Sequence, residues 1–214
     1  MRKNYDTDLK EMRDDVIQMS EITLKMLDHC ADTLFEEQPI SVEKMEKMEK
    51  KLEKIEKGIE KTAASVIALQ QPVAKDMREI TSAARIAISW NRIGSHIADI
   101  YEYADPCPRK IKNNPEELEI LKNLRVVMTE MLKGAAEAYK SRDVEKAIAV
   151  AQMDDEIDLI FKNIRKNIMD EEDAASYSLC SLMIAGHIER IGDHIANICE
   201  RVVYLERCEL VKLN

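Results

Sequence analysis

Residues Asn91 to Ile100 read NRIGSHIADI, and Glu189 to Ile198 read ERIGDHIANI, so seven of ten positions are identical at a constant offset of 98 residues. Glu102 and Glu200 extend the match in the same register. Self-similarity at a fixed period marks an internal duplication, and the duplication sets the architecture. The three mismatches pair Asn91 with Glu189, Ser95 with Asp193 and Asp99 with Asn197. They fall four residues apart, which is one face of an α-helix. The two copies share a scaffold and differ in a chemical stripe.

Composition sets the fold class. The chain has 214 residues, 45% of them apolar, enough for a substantial core. Five Gly, five Pro, two Phe and one Trp against twelve Met, with abundant Ala, Ile, Leu, Glu and Lys, predict an all-α protein. A net charge of −9 argues against nucleic acid, which is held by clustered Lys and Arg. No window is apolar for long enough to span a membrane, and Met1 to Lys10 lacks a signal-peptide core, so a soluble, cytoplasmic protein is expected. Cys30, Cys107, Cys180, Cys199 and Cys208 form an odd set without a C-x-x-C pair and read as reduced thiols.

Six helices are predicted, in two sets of three. The first runs from about Asn4 to Glu36 and stops at Gln38-Pro39. The second, from the N-cap residue Ser41 to about Gln70, carries Met45, Met48, Leu52, Ile55, Ile59, Ala63 and Val66 at alternating spacings of three and four. Pro72 opens the third, which ends at Asp105-Pro106-Cys107-Pro108, the expected boundary between residues 1–108 and 109–214. Asn114-Pro115-Glu116-Glu117 restarts the chain, and the fourth helix turns Leu118, Leu121, Leu124, Met128, Met131, Leu132 and Ala135 inward. Asp143 caps the fifth; the sixth follows the acidic break at Asp170 to Asp173 and runs past Leu205. Short connections fold each set into a three-helix antiparallel bundle, two in tandem.

The middle helices repeat more weakly. Met48 to Glu53 aligns with Met153 to Asp158, at an offset of 105, and the second copy is again the acidic one. Glu189, Asp193 and Glu200 share a face of the sixth helix, Asn197 lies between them, and the fifth helix can bring Asp154, Asp155 and Asp158 alongside. So many carboxylates in one place repel unless solvated or neutralised by a cation. Oxygen ligands favour Mg²⁺, Mn²⁺, Ca²⁺ or Fe over a thiolate zinc site. In a chain that is 34% charged, solvated helix faces are the competing reading. Two features favour a site: the stripe interrupts an otherwise apolar segment, and Gly186 and Gly192 signal close helix approach. His96 and His194 repeat and read as structural histidines at a helix interface, Arg92 and Arg190 as braces for carboxylates, and His29 and His187 carry little signal.

Over nearly the whole chain, at QPVAKDM (Gln71 to Met77), MDDEID (Met153 to Asp158) and ERIGDHIANICERVVYL (Glu189 to Leu205), the sequence resembles the PhoU phosphate-transport regulators. The resemblance implies a cytosolic, non-enzymatic, usually dimeric accessory protein that restrains phosphate uptake and the phosphate-starvation response. It implies as partners the ATPase subunit of the phosphate ABC transporter and, in many bacteria, a sensor histidine kinase. It also implies metal binding through an acid-x-x-x-Asp motif in each repeat, here Glu189 with Asp193. In the first repeat Asn91 and Ser95 replace both acids, so a divalent or trivalent ion (Fe, Mn, Mg or Zn) is expected only in the second, on Glu189, Asp193, Asp154, Asp155 and Asp158.

Other classes fit less well. A ferritin-like di-iron enzyme needs Glu-x-x-His pairs, whereas Met26, Ile93, Ile184 and Ile191 stand three residues before the four histidines. A phosphate sensor in its own right would want a glycine-rich loop or basic cleft, and neither is evident. A metal-binding helical scaffold without a role in phosphate control is the alternative.

Overall fold

The computed structural model describes residues 2–36, 41–104, 115–169 and 179–213. Among them there is no strand. Helix α1 (Arg2–Ala31) ends in a π-helical turn (Asp32–Glu36) and is followed by α2 (Val42–Gln70) and α3 (Ala74–Ala104). The second half contains α4 (Pro115–Ser141), α5 (Val144–Gln152), α6 (Asp154–Met169) and α7 (Leu179–Arg207). The six expected helices are thus present, the fifth in two segments. The boundary at 108/109, the breaks at Gln38-Pro39 and Asp170 to Asp173, and the Asn114 cap lie outside the described residues.

The split of the fifth helix has a local cause. Met153 N–H donates to the Val150 carbonyl and Glu156 N–H to that of Met153, both at 3.2 Å, a tight turn of three-residue bonds. Asp154, Asp155 and Glu156 then occupy the first turn of α6. The unpaired N–H groups at a helix start favour negative charge, so the run of acids begins a new helix there. Asp143 caps α5 as expected, its Oδ1 accepting from Lys146 N–H at 2.9 Å. Ser41 holds the N-cap position of α2 without using its side chain; its carbonyl accepts from Lys44 N–H at 2.8 Å. Gln71, with φ 46°, closes α2 in the left-handed region, and Pro72 follows.

Helices α3 and α7 form the most extensive interface; α1 and α2 flank α3, and α4, α5 and α6 flank α7. The pair is antiparallel, since Asp99 lies beside His187 while Arg92 acts on His194. The core is continuous across both repeats. Met45, Leu52, Ile59, Ala63 and Val66 of the α2 seam are buried, and Trp90, Met12, Met19, Met26 and Leu124 are among the largest fully buried side chains. At about 1.5–3 kcal/mol for each large apolar side chain removed from water, this shared core holds the two bundles as one body.

A polar lock supplements it. Glu79 on α3 accepts from Arg13 Nε of α1 at 2.6 Å and also from Arg142, in the turn between α4 and α5. Arg142 has φ 60° and sits over the Tyr139 ring at 5.2 Å. One expectation is corrected: Cys30, Cys199 and Cys208 are free thiols, but Cys180 at the start of α7 is disulfide-bonded. Sequence spacing carries no information on which distant residues meet, so that bond was not legible.

Candidate metal centre

Two glycines define the geometry. Gly94 on α3 and Gly192 on α7 hold the same repeat position, and both are buried. Helix interiors disfavour Gly by about 1 kcal/mol relative to Ala, so each marks a place where something comes too close for a side chain. A Cβ built at Gly94 would lie 2.2 Å from Leu52 Cδ1; one built at Gly192 would lie 1.8 Å from Asp154 Oδ1. The same niche takes a methyl group in the first repeat and a carboxylate in the second.

Asp154 is only 2% exposed. Burial pushes its carboxyl up to about 7, and the negative charges of Asp193, Asp158, Glu189 and Asp155, in that order, push in the same direction. The five acids expected from sequence are therefore brought together. Glu189 is half-buried and also raised, by burial and then by Asp193 and Asp158, while Arg190 and Lys162 pull it down. Asp193 and Asp155 are exposed, and Asp158 accepts from Lys162 Nζ at 2.8 Å. Glu200 lines a groove with Asp193 and Asn197, and its Oε1 accepts from Leu213 N–H at 3.0 Å in the C-terminal segment. Asn197 is exposed and lines a groove with Ser89 and His194.

Such a set of carboxylates, one of them buried, has the donor chemistry of a hard or borderline cation: oxygen ligands, excess negative charge and one anchored member. An ion bound here would be held by Asp154, Glu189 and Asp193, although among the described residues the donors whose ligand atoms lie within 4.8 Å of one another are His96, Asp99 and His187 rather than these acids.

The first repeat solves the same problem without excess charge. Ser95 Oγ donates to Glu49 Oε1 at 2.9 Å, and Asn91 Nδ2 donates to Glu56 Oε2 at 2.5 Å. Glu49 is the residue that aligns with Asp154, so the weak repeat of the middle helices corresponds in space. Burial raises the Glu56 carboxyl above its ordinary value, and the Asn91 hydrogen bond and then the Arg92 charge, the expected brace, partly offset that rise. Where the second repeat sets acid against acid, the first sets a neutral donor against acid.

The histidines gather where α3 crosses α7. The rings of His96 and His194 stack with centroids 5.7 Å apart, and His96 Nδ1 lies 3.2 Å from His187 Nδ1. Burial lowers all three below the ordinary histidine value; Asp99 partly offsets this at His96 and His187. The repeated pair is thus an interface pair, as read from sequence, whereas His187 and Asp99 were missed. Their one sequence signal is asymmetry, because the repeat offset pairs His187 with Ser89 and Asp99 with Asn197.

Fold and site together define an all-helical tandem-repeat protein with one degenerate and one acid-rich copy of the same motif. A model of the PhoU domain matches residues 16–104 and again residues 121–202. The chain belongs to the PhoU family. It is 31% identical over its full length to all of a Streptococcus pneumoniae protein, and 30% identical, also over its full length, to 99% of one from Clostridium acetobutylicum. Each is named a phosphate-specific transport system accessory protein PhoU homolog. The crystal structure of the phosphate transport system regulatory protein PhoU from Streptococcus pneumoniae covers 97% of this chain and 99% of its own at TM-score 0.82 and 29% identity. That of PhoU from Pseudomonas aeruginosa covers 96% and 100% at TM-score 0.84; at 23% identity it speaks for the fold.

Proposed function

We propose that the protein is a non-enzymatic, cytoplasmic regulator of phosphate uptake. It acts as an adaptor on the ATPase subunit of a phosphate ABC transporter and, where one is present, on a sensor histidine kinase, working as a homodimer. The observation that carries this reading is co-linearity: both repeats match one family along relatives of the same length, and those relatives are named for phosphate transport. No helix among the described residues is long and apolar enough to cross a membrane, which suits a protein that meets its transporter from outside the bilayer. A divalent or trivalent ion (Fe, Mn, Mg or Zn) bound by Asp154, Glu189 and Asp193, with Asp155 and Asp158 at the rim, belongs to the same reading.

The test measures association of the full chain with the purified ATPase subunit at low and high salt, and phosphate uptake in a deletion strain. A surface of charge −9 favours basic patches on a partner, so binding weakens as salt screens the attraction. The Glu189→Ala/Asp193→Ala variant, checked for folding and dimerisation, separates a regulatory ion from a structural one. Normal uptake control in the deletion strain, with no association at low salt, returns the phosphate-independent scaffold to the front.

A further inference from the structure

We propose that His96, Asp99 and His187 form a second metal site, distinct from the acidic cluster, which takes a zinc-class divalent cation and ties the two repeats together. Among the described residues, this is the set of His, Cys and carboxylate donors in which three ligand atoms lie within 4.8 Å of one another. His96 Nδ1 and His187 Nδ1 are 3.2 Å apart, and Asp99 Oδ2 lies 3.6 Å from the first and 3.4 Å from the second. Ligands about 2.0–2.1 Å from a tetrahedral zinc ion stand about 3.3 Å from one another. The three separations bracket that edge length.

The placement is also right for holding an ion. His96 and Asp99 are one turn apart on α3, and His187 comes across from α7. The imidazoles are 17% and 15% exposed and Asp99 47%, so two ligands are anchored and one side stays open to a fourth, solvent ligand. Two imidazoles and a carboxylate select zinc, cobalt or nickel over the magnesium, calcium and manganese that all-oxygen sets prefer.

The duplication supplies an internal control. The same three positions on the other side of the α3–α7 crossing are His194, Asn197 and Ser89. They retain one imidazole and lose the other two ligands, so one site per chain is expected. The acidic stripe survives in the second repeat; here the first repeat keeps the carboxylate.

The experiment adds Co²⁺ to the chelator-stripped full chain and follows the intense visible ligand-field bands of a tetrahedral ion. One equivalent should produce them. His187→Ser and Asp99→Asn, each importing the residue found at the other repeat's equivalent position, should weaken the banded site about tenfold or more, with circular dichroism confirming the fold. His96→Gln serves where either of those fails to fold. Glu189→Gln/Asp193→Asn should leave the bands intact, which separates this site from the acidic cluster. The absence of bands in the unmodified protein would mean that the two imidazoles merely hydrogen-bond. Bands that survive His187→Ser, or vanish with Glu189→Gln/Asp193→Asn, overturn the assignment equally.

Discussion

Asp154→Asn is expected to stabilise the metal-free protein while abolishing its response to Mn²⁺. The carboxyl is 2% exposed, and its titration is pushed from 3.8 to about 7. A displacement of about three units corresponds to about 4 kcal/mol between the two protonation states. Because Asp155 and Asp193 are exposed, water and salt reduce the share reaching stability to about 2 kcal/mol. The sign follows from proton counting. With the folded value above the unfolded one, the native state binds more protons than the unfolded chain between about pH 4 and 7, so stability falls as pH rises through that window. The penalty is complete above it. Asparagine keeps the shape and removes the charge, so in chelator at pH 8 the variant should melt about 4–8 °C above the parent, at about 2–4 °C per kcal/mol for a chain of this size. Near pH 4 the two should converge. Mn²⁺ should raise the melting temperature of the parent and scarcely move that of the variant. Calorimetry from pH 4 to 8, with and without Mn²⁺, decides; an offset independent of pH, or a variant no more stable than the parent at pH 8, refutes the electrostatic account.

Four further variants test the packing and the ion pairs. Gly192→Leu should destabilise the protein in thermal melts, because even a Cβ would meet Asp154 Oδ1 at 1.8 Å, whereas Gly58→Ala, with nothing within 4 Å, should gain up to about 1 kcal/mol. Asn91→Glu/Ser95→Asp sets acids against Glu56 and Glu49, so it should lower the melting temperature in chelator and recover part of the loss in Mn²⁺, with weaker affinity than the second repeat because Leu52 fills the glycine niche. Glu79→Gln leaves the two guanidinium groups of Arg13 and Arg142 without their shared carboxylate and should cost about 1–2 kcal/mol by denaturant titration, less than a fully buried pair because Arg13 is 48% exposed.

The second and fifth helices were legible because apolar residues recur along them at spacings of three and four and Ser41 and Asp143 mark their starts: Met45, Leu52, Ile59, Ala63 and Val66 are buried as read, Met48 and Ile55 are half-buried, and Asp143 caps as read. The break at Met153 was not, since Ala147 and Val150 continue into Ile157 and Ile164 on one apolar stripe and conceal the turn between them. Glu189 and Asp193 of the candidate centre were legible from the mismatches between copies, and Asp154, Asp155 and Asp158 from the acidic run of the neighbouring fifth helix. What sequence could not supply was contact between helices: Asp154 against Gly192 and His187 beside His96 depend on residues far apart in the chain.

The divergence of the two copies is therefore concerted. With Glu49 and Glu56 in place, residues 91 and 95 can be neutral donors and need no cation, as Asn91 and Ser95 are. With Asp154 and Asp158 in place, acids at 189 and 193 crowd negative charge that Lys162 and Arg190 offset only in part, and burial together with these neighbours raises the Asp154 carboxyl, which favours uptake of a proton or a cation. An intermediate with one acid and one donor would have neither a full hydrogen-bond set nor enough charge to hold an ion. The two repeats thus occupy two different end states. The glycine is common to both because each state fills the space above it, with the Leu52 methyl on one side and the Asp154 carboxylate on the other.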